Sequence, residues 1–196
     1  MNKPGFVVWF TGLSGSGKTT LAVELEKELL RRNLRVQRLD GDIVRKSLTR
    51  DLGFSEEDRK KNIERITFVT RLLAKHGVAT LVSFISPYIS VRDNARNEVN
   101  EENAEFVEVF VKASVEECAR RDVKGLYEKA FAGEIENFTG VSHPYEEPPN
   151  SEIVCNTEYE SVEESTQIVL DYLEKESIIP KAKEIIPKIE KVGPKV

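Results

Sequence analysis

Gly12-Leu13-Ser14-Gly15-Ser16-Gly17-Lys18-Thr19 constrains this chain more than any other stretch, because it satisfies G-x-x-x-x-G-K-[ST] at every fixed position. The flanks agree with it. Phe6-Val7-Val8-Trp9-Phe10 reads as a buried strand leading in, and Thr20-Leu21-Ala22-Val23-Glu24-Leu25 has helical spacing leading out. Three glycines allow backbone N–H groups to turn inward around phosphate oxygens, where a side chain would collide or forbid the dihedrals. A helix beginning near Lys18 aims its positive end at the same anion. Lys18 adds a point charge for the β- and γ-phosphates, and the Thr19 hydroxyl is a ligand for Mg²⁺. A chance Gly/Ser turn would lack both flanks. The reading is a nucleoside triphosphate site, with Gly12 to Thr20 as its residues.

The remainder of the chain alternates strand and helix. Leu34 to Leu39 reads as a second strand running into Asp40-Gly41-Asp42, and Thr80 to Ile85 as a third, ending at Ser86-Pro87-Tyr88. Phe106 to Val111 and Ile153 to Cys155 complete five strands. Helices are expected over about 19–32, 91–99 and 162–175, with Ser114 capping another. A further helix starts at Ser55, with Asp58 three residues on as in a capping box, and an apolar stripe of Ile63, Ile66, Phe68, Val69, Leu72 and Leu73 runs to Gly77. Such alternation predicts an α/β fold: a central five-stranded parallel sheet with helices on both faces. Ligands of such sheets gather at the carboxyl ends of the strands, which puts Thr11-Gly12, Asp40–Asp42, Ser86-Pro87 and Cys155-Asn156 around one crevice.

Length and composition bound the rest. A chain of 196 residues, 39% apolar and 32% charged, predicts one soluble domain with a proper core. We place that domain at 1–177, with a Gly- and Pro-punctuated lid over 124–149 and a proline-interrupted extension over 178–196. The extension holds a seven-residue near-repeat, Ile178-Ile179-Pro180-Lys181 and Ile185-Ile186-Pro187-Lys188, expected to dock partly through its isoleucines. A net charge of −5 with dispersed basic residues argues against nucleic acid as a partner. Cys118 and Cys155 form neither a disulfide framework nor a zinc site, which suits a reducing cytoplasm. No apolar run is long enough for a membrane span, and no signal-peptide core follows Met1.

Outside the phosphate loop the residue types leave alternatives open. Asp40 and Asp42 could hold Mg²⁺ or accept a proton from an attacking hydroxyl, or they could be the solvated ends of an Asp-Gly turn. Arg59 and Asn62 share a helix face and, with Arg45, suit an anionic second substrate. Arg59-Lys60-Lys61 is equally an ordinary charged surface, and on residue type alone that reading wins. Phe54 and Phe138 sit in polar loops, either to stack on a nucleobase or to pack beneath the loop. His76 and His143 show no pairing of catalytic spacing.

Taken in order, several pieces resemble the adenylyl-sulfate kinase family: the phosphate loop, Leu39-Asp40-Gly41-Asp42, Leu52-Gly53-Phe54-Ser55, Asp58-Arg59, Asn62-Ile63, Ser83-Phe84-Ile85-Ser86-Pro87-Tyr88, Arg121-Asp122-Val123-Lys124-Gly125-Leu126-Tyr127, Phe138-Thr139-Gly140 and Pro144-Tyr145-Glu146. The resemblance covers residues 5 to 175. It implies a three-layer P-loop kinase fold and transfer of phosphate from ATP to the 3′-hydroxyl of adenylyl sulfate, giving 3′-phosphoadenylyl sulfate in sulfate activation. It also implies Mg²⁺ on Thr19 and Asp40, Lys18 on the phosphates, and Asp42 orienting the hydroxyl. Arg45, Arg59 and Asn62 would take the phosphosulfate end, and Phe54 and Phe138 the adenine. Ile85, Ser86, Lys124 and Thr139 would line the same site, Ser86 being the family's conventional phosphoserine. A homodimer and association with ATP sulfurylase are further expectations. Two positions depart from the family pattern: Phe131 and Ile89 stand where it has arginines. The rival readings are a kinase for another nucleoside or sugar alcohol, and a non-catalytic nucleotide-binding domain.

Overall fold

A computed structural model describes residues 4–181 of the chain. Five strands, β1 (Phe6–Thr11), β2 (Val36–Asp40), β3 (Ala79–Ser83), β4 (Glu105–Lys112) and β5 (Ile153–Asn156), form one sheet in the order β2-β3-β1-β4-β5. Every pairing is parallel, with Val8 opposite Leu81 and Val107 on its two neighbours. The longer helices are α1 (Lys18–Arg31), α3 (Glu56–Lys75), α4 (Ile89–Asn100) and α7 (Val162–Lys175). Three short ones are α2 (Gly41–Val44), α5 (Val115–Arg121) and α6 (Leu126–Phe131).

Successive side chains of a strand point to opposite faces, so β1 feeds two cores. Phe6, Val8 and Phe10 pack with Leu21, Leu25 and Leu29 of α1 and Val169, Leu170 and Leu173 of α7. Val7 and Trp9 pack on the other face with Ile63 and Ile66 of α3 and Ala95 and Val99 of α4. β1 is buried throughout, as the middle strand of a sheet covered on both sides must be. A third, smaller cluster of Leu13, Ala113, Cys118, Tyr127, Ala130 and Phe138 lies beyond the carboxyl edge of the sheet.

Four expectations need adjusting. The stripe on α3 is narrower than its apolar residues suggest: Ile63 and Ile66 are buried, but Phe68 and Leu72 are exposed. At about 100° per residue these two point away from the buried face, which Thr67, Thr70 and Ala74 complete. Ser55 does cap α3, its Oγ accepting from Asp58 N at 3.1 Å, yet the Asp58 carboxylate returns to Gly53 N and Ser55 Oγ. α4 begins at Ile89, two residues earlier than expected, because Glu146 Oε2 accepts from Ile89 N at 2.7 Å. The stretch 124–149 is no bare loop; it contains α6 and supplies Tyr127, Ala130 and Phe138 to the third cluster. Beyond α7, Ile179 is 3% exposed within the α1/α7 core, and Arg32 donates to Pro180 O at 3.0 Å. The second copy of the near-repeat lies outside the described residues.

Candidate active site

Between β1 and α1 the backbone turns through three left-handed or otherwise positive-φ glycines, Gly12 (148°), Gly15 (78°) and Gly17 (101°). At Gly12 the constraint is double: a Cβ there would stand 2.4 Å from the Val111 carbonyl oxygen. Gly17 is the N-cap of α1, so the free N–H groups of a fourteen-residue helix face the loop's interior. Side chains from distant segments brace the loop from outside. Thr157 Oγ1 donates to Ser16 O at 2.8 Å, Tyr127 Oη to Ser14 O at 2.9 Å, and Arg121 Nη1 to Gly15 O at 3.3 Å. Arg121 also donates to Thr157 O at 2.6 Å, closing the brace. Spacing had singled out neither Arg121 nor Thr157, because they meet the loop only after the sheet has formed.

Lys18 is 8% exposed and its Nζ donates to Leu13 O at 2.6 Å. Burial lowers its pKa to about 8, a pull that the nearby Cys118, Asp40 and Asp42 oppose. Thr19 Oγ1 donates to Asp40 Oδ2 at 2.7 Å, while Asp40 Oδ1 accepts from Asp42 N at 3.0 Å. The two aspartates therefore differ. Asp40, 5% exposed, is a fixed acceptor beside Thr19, whereas the Asp42 side chain is exposed and ion-paired with Lys124 across the crevice. Among the described residues no three His, Cys, Asp or Glu side chains gather as a metal-binding group. Adjacent Thr19 and Asp40 oxygens nevertheless suit Mg²⁺, which commonly takes one or two protein oxygens and completes its shell with phosphate and water.

The expected acceptor residues come to the same edge of the sheet, in unequal states. Arg45 Nη1 donates to Leu52 O and Gly53 O at 3.3 and 3.2 Å, and its guanidinium lies 4.4 Å from the Phe54 ring centroid. Arg59 is not a plain surface cation. Its Nε donates to Phe54 O at 2.9 Å, Nη1 to Thr139 Oγ1 at 2.8 Å and Nη2 to Asn137 O at 2.6 Å. Through one side chain it joins the Phe54 loop to the Phe138 loop. Phe54 is 61% exposed, while Phe138 is buried and meets Tyr127 edge-on at 5.0 Å. Asn62 is 4% exposed with Oδ1 lacking a partner among the described residues. Ser86 has φ 39°, accepts from Trp9 Nε1 at 3.0 Å and is 2% exposed. Thr11 Oγ1 donates to Ile85 O at 2.8 Å. Burial raises the thiol pKa of both free cysteines, Cys155 to about 12.

A family model described as adenylylsulphate kinase matches residues 4–156. The chain belongs to that family. The adenylyl-sulfate kinase of Halothermothrix orenii is 55% identical over 178 residues, which is 91% of this chain and 94% of that one. That of Staphylococcus carnosus is 54% identical over 173 residues, 88% of this chain and 86% of its own. Among solved structures, the Mycobacterium tuberculosis APS kinase in complex with AMPPNP and APS aligns with a TM-score of 0.85 at 44% identity, covering 88% of this chain and 99% of that one. The two departures from the family pattern have separate settings. Phe131 ends α6 with 59% exposure beside Tyr127, and Ile89 opens α4 under the Glu146 cap.

Proposed function

We propose that the crevice transfers the γ-phosphoryl group of ATP to the 3′-hydroxyl of adenylyl sulfate. The observation that carries the reading is the 2.7 Å contact between Thr19 and Asp40, which fastens the phosphate loop to the Asp40-Gly41-Asp42 corner. Asp42, two residues on from that contact, would then lie near the phosphate end of the loop. In the proposed step the acceptor oxygen attacks phosphorus in line, the bond from phosphorus to the β–γ bridging oxygen breaks, and the hydroxyl proton passes to Asp42. Lys18 leaves Leu13 O for the β/γ-phosphates and offsets the charge that spreads over the transferring group. Mg²⁺ held by Thr19 and Asp40 would neutralise phosphate oxygens. Lys124, now on Asp42, would release it to the entering hydroxyl.

On this reading the phosphosulfate end of the acceptor takes Arg45 and Arg59, whose guanidinium N–H groups suit an anion, with the side-chain NH₂ of Asn62 as a further donor. Phe54 and Phe138 flank the adenine, with Ile85, Ser86 and Thr139 completing the wall. Ser86 acts here as a wall residue. Its hydroxyl is engaged by Trp9 and buried, and in-line transfer needs no covalent step. The 124–149 lid would exclude water that otherwise wastes ATP. The same reading includes a homodimer, association with ATP sulfurylase and a cytoplasmic setting; two buried free thiols suit that compartment.

Incubation of the purified protein with MgATP and adenylyl sulfate should yield 3′-phosphoadenylyl sulfate at many times the rate of a Lys18→Ala control. Product no greater than in that control would overturn the assignment.

A further inference from the structure

We infer that Arg92 and Tyr145 form a buried clamp that positions the acceptor wall against the phosphate loop. Arg92 lies on the inner face of α4 and is 2% exposed. A charged side chain buried to that extent needs partners for its donors, and each of the three guanidinium nitrogens has one. Nε donates to Glu108 Oε1 at 2.7 Å, Nη1 to Ser86 O at 2.6 Å and Nη2 to Glu146 O at 2.8 Å. Only the first of these is an ion pair. The other two reach main-chain carbonyls on separate segments, the turn after β3 and the final part of the lid.

Tyr145 closes the circuit from the opposite side. Its ring stacks on Phe110 with centroids 6.0 Å apart, and the Arg92 guanidinium lies 5.8 Å from its centroid. Its hydroxyl is 2.8 Å from Thr11 Oγ1. Thr11 has one proton and spends it on Ile85 O, so Tyr145 is the donor to Thr11. Both carbonyls of the Ile85-Ser86 pair are thus held, Ile85 O by Thr11 and Ser86 O by Arg92. The turn they hold needs holding: Ser86 has φ 39°, in a region that a non-glycine residue occupies only when its surroundings impose it. Thr11 is the last residue before Gly12, so the same circuit reaches the start of the phosphate loop. Donor loop, acceptor turn and lid end meet at one guanidinium and one phenol. Neither side chain needs to touch a substrate; both act through the Ile85-Ser86 turn.

This inference rests on adenylyl sulfate being the acceptor, and the test separates the two claims. Arg92→Lys keeps a cation for Glu108 but cannot reach Ser86 O and Glu146 O together. Tyr145→Phe keeps the ring and removes only the link to Thr11. Both variants and the wild type are assayed with each substrate varied, and amide exchange is followed over residues 84–88 and 143–147. For Arg92→Lys we expect KM for adenylyl sulfate to rise about tenfold or more, since small misplacements of reacting groups are costly, with KM for ATP within about twofold. Exchange should accelerate in those two segments while β1 and β4 keep their protection. Tyr145→Phe should shift acceptor KM in the same direction by a smaller factor. An unchanged acceptor KM in a folded Arg92→Lys, or an equal rise for both substrates, overturns the clamp. If that variant does not fold, an unchanged acceptor KM in Tyr145→Phe overturns it. A wild type that makes no product defeats the assigned reaction instead, and the two-segment exchange response then decides the clamp alone: acceleration confined to those segments upholds it and a uniform response overturns it.

Discussion

The phosphate loop and the acceptor wall face each other across one crevice but are built in different ways. The loop is a backbone object. Its shape comes from Gly12, Gly15 and Gly17 at positive φ and from the first turn of α1, and distant side chains only brace it. The wall is a side-chain object. Arg45, Arg59, Lys124, Tyr145 and Arg92 join separate segments of the chain, and their hydrogen bonds go to main-chain carbonyls, to the hydroxyls of Thr11 and Thr139 and to the carboxylates of Asp42 and Glu108. A backbone site is ready before its ligand arrives. A side-chain site has to exchange partners when the ligand enters, so its contacts should show up in acceptor affinity and in specificity more than in donor binding.

Four measurements would break or sharpen that contrast. The largest effect is expected for Lys18→Met, with kcat/KM down about 10³-fold from loss of the charge on the transferring group. Its thermal midpoint should hold or rise, because a desolvated ammonium has been removed from a buried position; a steep fall in stability would show that the lysine braces the fold. Asp42→Asn comes next, with kcat down about 10²-fold and ATP affinity unchanged, measured by nucleotide titration alongside turnover. Equal loss of ATP binding would move Asp42 to the donor side.

Arg59→Lys should raise acceptor KM about tenfold and leave ATP KM within about twofold, since an ammonium cannot serve Phe54 O, Asn137 O and Thr139 together. Equal effects on both substrates would dissolve the distinction between the two halves. The smallest effect is a pH dependence of the donor half. Lys18 in the free protein titrates at about 8, and phosphate favours its charged form. From this group alone ATP affinity should fall about fivefold between pH 8 and pH 9, with proton uptake on binding visible by calorimetry in buffers of different ionisation enthalpy. The stability sign is opposite. The folded pKa lies below the unfolded value of 10.5, so the unfolded chain holds more protons between about 8 and 10.5, and this group's contribution to stability rises with pH across that window.

Legibility followed the same division. The glycines, Lys18 and Thr19 could be read because each depends on its own backbone and immediate neighbours. So could Ser55 and Ser114 as helix caps, where a hydroxyl reaches an N–H only three residues away. The start of α4 could not be read, since its cap is Glu146, 57 residues along the chain. Phe68 and Leu72 looked like core and proved exposed, because an apolar residue declares its preference but not the angle at which its helix is set against the sheet. Asp40 and Asp42 were indistinguishable as letters; the approach of Thr19 and Lys124 from two different segments made one a buried acceptor and the other an exposed partner.

By itself, then, the order of residues determined an α/β chain with a phosphate-binding loop after its first strand, and its motifs pointed to the family. These are properties of periodicity and local dihedrals, which a short stretch carries wherever it sits. Only the tertiary structure decided that Arg59 would be a joint between two aromatic loops and that Arg92 would be buried beneath the Ser86 turn. A side chain with several donors has many conceivable partners, and the packing of α4 and the lid against the sheet leaves Arg92 with Glu108 and two carbonyls.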